Sequence, residues 1–197
     1  MIKLISQSIR QTLVWTVITG LLYPLAVTAV CQLLFPGPAN GSLVMRGGKL
    51  VGSSLLAQQF TGPGYFWPRP SAASYGTGSS GIAGSSGSNL GPTSAQLQTN
   101  VRANAKALRD AHKLPTDAPV PADLVYASAS GLDPHISPAA ARFQIARVAA
   151  ARGAGEDAVR ALVEKSVEPP QWGFLGEARV NVLLLNLALD DQFPVKK

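Results

Sequence analysis

Between Gln11 and Phe35 the chain runs for 25 residues without one Asp, Glu, Lys, Arg or His. Wound as an α-helix at ~1.5 Å per residue, that run is about 37 Å long and outreaches a hydrocarbon core of roughly 30 Å. Its polar side chains are Gln11, Thr12, Thr16, Thr19, Thr28 and Gln32. A threonine hydroxyl can bond back to the carbonyl one turn earlier, so these residues do not exclude a membrane helix. Pro24 lies near the middle, where it removes one backbone donor and is expected to kink the helix. Trp15 sits near one end, a position suited to an interfacial aromatic. A cleaved signal peptide is the competing reading, because Lys3 and Arg10 make a basic leader and Val27-Thr28-Ala29 passes for a cleavage site. The apolar run continues past it through Val30 to Phe35, which favours a retained anchor. Val30 is too large for the residue wanted before a lipidated Cys31.

The remaining composition fits an anchored domain better than a charge-rich soluble enzyme. Asp, Glu, Lys and Arg make up 14% of the 197 residues, against about 25% in soluble domains. One cysteine cannot form an internal disulfide, and with two histidines it cannot build a His/Cys zinc site. Lys3 and Arg10 precede the span with no acid near them, so the positive-inside rule keeps residues 1–10 in the cytoplasm. Residues 11–35 are then the transmembrane helix and residues 36–197 an extracytoplasmic, periplasmic domain. That outer part has 15 basic and 11 acidic residues, without aromatic interleaving or a nucleic-acid motif, so no nucleic-acid partner is expected.

Phe35-Pro36-Gly37-Pro38 is expected to stop the helix, and Asn40-Gly41 to form a tight turn. Leu43-Val44 and Leu50-Val51 read as short strands around Gly47-Gly48. Residues 53–60 read as a short helix. The segment YFWPRPSA, residues 65–72, cannot be a regular helix because of Pro68 and Pro70. Residues 76–91 contain 11 Gly or Ser and read as a flexible loop within the domain. From Thr93 the pattern turns helical, with Thr93 and Gln96 as a capping box and Leu97, Val101, Ala105 and Leu108 as one apolar stripe ending near His112-Lys113. Residues 123–128 read as a strand. Ser137-Pro138 starts a helix running to about Arg152, and Gly153 stops it. A further helix begins near Gly155, with Val159, Leu162, Val163 and Val167 as its buried face and Pro169-Pro170 as its end. Residues 180–189 read as a final apolar strand with a turn of helix. The expected fold class is therefore α+β: one N-terminal transmembrane helix followed by a compact extracytoplasmic α+β domain.

The chemistry-bearing motifs are sparse. There is no G-x-S-x-G, S-x-x-K, H-E-x-x-H or G-x-x-x-x-G-K-[ST]. Residues 76–81 spell G-x-G-x-x-G, but no strand precedes them and more Gly/Ser follows, so they read as a loop. Asp133 and His135 lie in GLDPHISP. They admit an acid/base pair, or a turn-capping Asp133 at Pro134 with His135 packed beside a helix start. Arg69 between two prolines is read as a donor to backbone carbonyls, with anion binding as the alternative. Asn89, after the glycine run, is read as fixing the loop.

Four strings stand in one order behind the N-terminal span: YFWPRPSA at 65–72, SGSNLGPTSAQL at 86–97, DLVYASASGLDPHISPAAA at 123–141 and GFLGEARVNVLLLNLALD at 173–190. Together they closely resemble the KdpC family, the C subunits of bacterial potassium-transporting Kdp ATPases, over nearly the whole chain. The resemblance implies a subunit without a catalytic site of its own, needed for assembly and activity of a high-affinity potassium importer in the inner membrane. The implied partners are a channel-like potassium-binding subunit, a P-type ATPase subunit, a small single-span subunit and membrane lipid. The family is described as a catalytic chaperone that raises the ATP affinity of the ATPase subunit, so ATP is the one cofactor it implies, with no covalently bound cofactor and no metal. Because the topology places most of the chain away from cytoplasmic nucleotide, an indirect effect on ATP is favoured. The family-motif residues, expected to be structural or interfacial, are Arg69, Ser88, Asn89, Asp133, His135, Glu177, Arg179 and Asn181. The rival readings are an anchored extracytoplasmic hydrolase, with Asp133, His135 and Ser137 as its cluster, and a periplasmic binding module.

Overall fold

A computed structural model describes residues 1–73 and 84–194, so positions 76–83 of the Gly/Ser-rich stretch lie outside the described residues. The chain divides into two compact units, Met1–Val51 and Gly52–Lys197.

The first unit is dominated by one helix, α1, Ile2–Leu34, apolar and long enough to cross a membrane, with none of its apolar window buried against protein. It begins well before the uncharged run, so Lys3 and Arg10 ride on its first turns. A π-helical turn, Ile18–Leu22, sits immediately before Pro24. Tyr23 N–H reaches back to Ile18 O, which widens the ladder where Pro24 cannot donate. Thr19 Oγ1 donates to Trp15 O at 2.7 Å, the back-bonding expected of threonines in this run. Phe35 leaves helical geometry, and a single turn, Pro36–Ala39, follows. Strands β1 (Leu43–Arg46) and β2 (Lys49–Ser53) then pair as a hairpin. Gly47 and Gly48 both have positive φ, 55° and 76°, as a two-residue hairpin turn requires.

The second unit is α+β. Helix α2 spans Ala95–His112. A 3₁₀ turn covers Ala122–Leu124, and β3 is His135–Ile136. Next come α3 (Pro138–Phe143), α4 (Ile145–Arg152) and α5 (Glu156–Lys165). The chain finishes with β4 (Val167–Glu168), β5 (Arg179–Asn181) and α6 (Val182–Gln192). The three short strands form an antiparallel sheet in the order β3-β5-β4, with His135 opposite Asn181 and Glu168 opposite Arg179. Its core joins Phe66 to Ile145, Val148, Val159, Val163 and Leu185, all fully buried.

Several boundaries follow their sequence signals. Ser137 Oγ accepts Ala140 N–H at 3.0 Å with Pro138 behind it, and Gly153 ends α4 at φ 63°. Others differ from expectation. The cap of α2 is Ser94, whose Oγ accepts Leu97 N–H at 3.3 Å, one residue after Thr93. Residues 53–60 are not a helix: Ser53 ends β2, a turn follows, and Ala57 N–H bonds Leu132 O. Residues 123–128 are not a strand, since Pro121 starts a 3₁₀ turn that bonds Val125 N–H to Ala122 O. The helix from Pro138 is interrupted at Gln144, which is drawn into a side-chain role described below. The final apolar segment is helix from Val182, with Asn181 as its cap. Hydrophobicity alone cannot separate a buried helix from a buried strand.

YFWPRP is the structural spine of the domain. Prolines deny it ladder hydrogen bonds, and two buried side-chain amides replace them. Asn186 accepts Phe66 N–H at 2.8 Å and donates to Phe66 O at 2.9 Å. Gln144 accepts Trp67 N–H at 2.8 Å and donates to Trp67 O at 3.2 Å. Two arginines lie over the aromatic rings: Arg147 is 4.0 Å from the Trp67 centroid and Arg152 is 4.6 Å from that of Tyr65. Arg147 Nε also donates to His112 Nε2, while His112 Nδ1–H bonds Leu108 O. Burial lowers the His112 pKa, the bond to Leu108 O opposes it and the Arg147 charge adds to it.

A candidate functional cleft at the sheet edge

Held extended, YFWPRP carries Arg69 to the edge of the small sheet. Arg69 Nη1 donates to Asp133 Oδ2 at 2.9 Å, so a carboxylate is among its partners, beside the backbone carbonyls expected from sequence. Asp133 Oδ1 accepts His135 N–H at 3.0 Å, closing a turn over Pro134. The His135 Nδ1 atom stands 3.6 Å from the same oxygen, so the ring is adjacent to the carboxylate and beyond an ordinary hydrogen bond. Asp123 Oδ2 accepts Ser137 N–H at 2.7 Å and ties the 3₁₀ turn to the start of α3. From β5, Arg179 reaches across to β4 and donates its Nε to Glu168 at 3.0 Å.

Between these groups lies an open cleft of about 360 Å³, lined among others by Arg69, Asp123, Asp133, His135, Glu177 and Arg179. Five of the eight residues singled out from sequence therefore come together, from three stretches of chain. Asn181 shares their sheet position opposite His135, but its side chain serves packing: it caps α6 through Leu184 N–H and donates to Ser54 O at 2.8 Å. Ser88 and Asn89 are elsewhere. Ser88 lines a second groove against Leu97, Asn100 and Val101 of α2, and Asn89 adopts φ 52°, a left-handed geometry that asparagine tolerates.

The Asp133 carboxyl is held at about 2. The adjoining His135 ring is the largest cause, the His135 N–H and the Arg69 guanidinium add to it, and partial burial opposes them. A carboxyl ionised this firmly is a poor proton donor or acceptor near neutral pH, where general catalysis favours a pKa near the operating pH. Among the described residues no hydrogen bond joins Ser137 to His135, and Ser137 Oγ is engaged at the α3 cap. The arrangement is a clasp that welds three segments together and leaves Glu177 exposed at its rim.

The clasp predicts a pH dependence. Asp133 is bound more tightly as an anion in the folded state, so its contribution is complete above the ordinary carboxyl value near 4 and is lost as pH falls toward 2. The shift corresponds to at most about 2 kcal/mol. Asp133→Asn is expected to remove that much stability at pH 7 and to flatten the acid limb of the stability curve between pH 4 and 2. Urea unfolding of both forms across that range checks it; an unchanged acid limb refutes the clasp.

Sequence reasoning missed Asp123 as a cleft residue, and it missed Gln144 and Asn186 altogether. A signal for the two amides existed. Gln144 falls four residues after Ala140 and four before Val148, and Asn186 falls three before Leu189, so each is a polar residue inside a buried helical stripe.

Comparison with known proteins covers both units. The family described as KdpC: K+-transporting ATPase, c chain, matches residues 5–191. The potassium-transporting ATPase KdpC subunit of Myxococcus xanthus is 58% identical over 188 residues, 94% of this chain and 87% of that protein. The KdpC subunit of Methylococcus capsulatus is 53% identical over 190 residues, 96% of this chain and 98% of that protein. The one from Polaromonas naphthalenivorans is 57% identical over 185 residues, 92% and 91% respectively.

Proposed function

Because this chain belongs to the KdpC family of K+-transporting ATPase c chains, we propose that it is an anchored, non-catalytic accessory subunit of a potassium-import complex. The observation that carries this reading is the extent of the relatedness, which runs through the apolar helix and the domain alike. Helix α1 serves as the single membrane anchor. Lys3 and Arg10 hold its start in the cytoplasm, and the α+β domain lies on the opposite, periplasmic side. Its partners are a channel-like potassium-binding subunit, a P-type ATPase subunit and a small single-span subunit. The firmly ionised, clasped Asp133 supports a structural use of the one acid/base cluster over a hydrolase.

Any influence on ATP is indirect in this reading. It acts by biasing the conformational equilibrium of the membrane partners. Co-expression with the other subunits, purification through a tag after Lys197 and a potassium-stimulated ATPase assay test it. The complex is expected to lose potassium-stimulated turnover without this chain, and the full chain in detergent is expected to show no saturable ATP binding. Direct saturable binding overturns the indirect mechanism. A chain that co-purifies with no ATPase subunit overturns the accessory role. A reporter fused after Lys197 that is active only in the cytoplasm overturns the topology.

A further inference from the structure

The connection between β4 and β5 is the least explained part of the domain. It folds back on itself: Gln171 and Leu175 exchange both backbone hydrogen bonds at 2.9 Å, and Gly173 N–H bonds Pro170 O. The turn places Trp172 at φ 55°, a conformation that L side chains rarely adopt. It presents Trp172 at 78% exposure and Phe174 at 73%, with Leu175 beside them. A chain that needed only to join two strands has no use for a tryptophan in a strained position with its ring in solvent.

The charge around this tip is one-sided. From Pro169 to Ala178 the sole charged residue is Glu177, which is exposed and lines the cleft. Arg179 at the base is already paired with Glu168. In the cleft behind the tip Arg69 is matched to Asp133, while Asp123 and Glu177 have no ion pair among the described residues. An apolar tip with an acidic shoulder and no cation of its own is poorly suited to an anionic membrane surface, which attracts Lys and Arg. It complements a protein recess that is apolar within and basic at its rim, and Trp is enriched among the residues that carry binding energy at interfaces.

We infer that the Trp172–Leu175 tip, with Glu177 at its shoulder, is the element by which this domain docks into an apolar, basic-rimmed recess on another subunit of the transport complex. This rests on the accessory-subunit reading above. In the co-expressed complex, Trp172→p-benzoylphenylalanine followed by irradiation and peptide mapping is expected to yield an adduct with an extramembranous segment of another subunit. Trp172→Ala/Phe174→Ala is expected to lower co-purification of that subunit at least tenfold, and Glu177→Arg to lower it severalfold. The unfolding midpoint of the full chain should not move, since both rings are exposed. Adducts confined to lipid, or no adduct in an intact complex, overturn the docking inference and leave the accessory role standing, as does a double variant that co-purifies at the parent level. A parent chain that retrieves no other subunit overturns both.

Discussion

Replacing Asn186 with alanine is expected to lower the unfolding free energy by about 2–5 kcal/mol. The substitution removes an acceptor and a donor at once and strands Phe66 N–H and Phe66 O, both inside the core. Each stranded buried group costs about 1–3 kcal/mol. The loss is larger than for an ordinary surface amide because Phe66 and Asn186 are both buried, so water cannot take over either bond. Asn186→Asp keeps the acceptor for Phe66 N–H, sacrifices the donor and buries a charge, so it is not expected to rescue. Urea unfolding of the full chain in mild detergent, followed by tryptophan fluorescence, is the measurement. A loss under about 1 kcal/mol would mean that YFWPRP is held by its apolar contacts and that the amide clamp is incidental.

Arg152→Ala is expected to cost about 3–5 kcal/mol, the range seen when one member of a buried ion pair is removed. The Arg152 side chain is fully buried and stands 2.7 Å from Asp190. It also donates to Gly64 O at 2.7 Å and Phe193 O at 2.8 Å, so one guanidinium joins YFWPRP, α4 and the end of α6. Truncation removes three partners and opens a cavity under Tyr65. Arg152→Lys keeps the charge but not the fork and is expected to recover only part of the loss. A double-mutant cycle with Asp190→Ala checks the mechanism. If the two losses simply add, the pair is not coupled and the cost lies in the two lost carbonyl bonds and the cavity.

These two residues mark where sequence reasoning stopped. Signals confined to neighbouring residues were legible: the uncharged run that became α1, the Gly47-Gly48 turn, the Ser137-Pro138 start and the Gly153 stop. Each depends on φ/ψ preference or on satisfying a helix end, which a few adjacent residues decide by themselves. Of the eight family-motif residues, Arg69, Asp133, His135, Glu177 and Arg179 converge on the cleft, a juxtaposition the sequence did not give. The pairing of Arg69 with Asp133 was not legible, because the two are 64 residues apart and nothing local points from one to the other.

Two of the segments that differ from expectation share one cause. Residues 123–128 and 180–189 are apolar enough for either helix or strand, and their state follows from which backbone groups find partners in the assembled domain. By itself the sequence determined one membrane-length helix, an α+β domain behind it and membership of a family, because hydropathy, turn chemistry and residue strings are local properties. Tertiary structure alone decided that a proline-broken aromatic segment becomes the spine of that domain. The backbone groups of Phe66 and Trp67 had to be satisfied, and the amides of Asn186 and Gln144, brought from distant stretches of the chain, reach them.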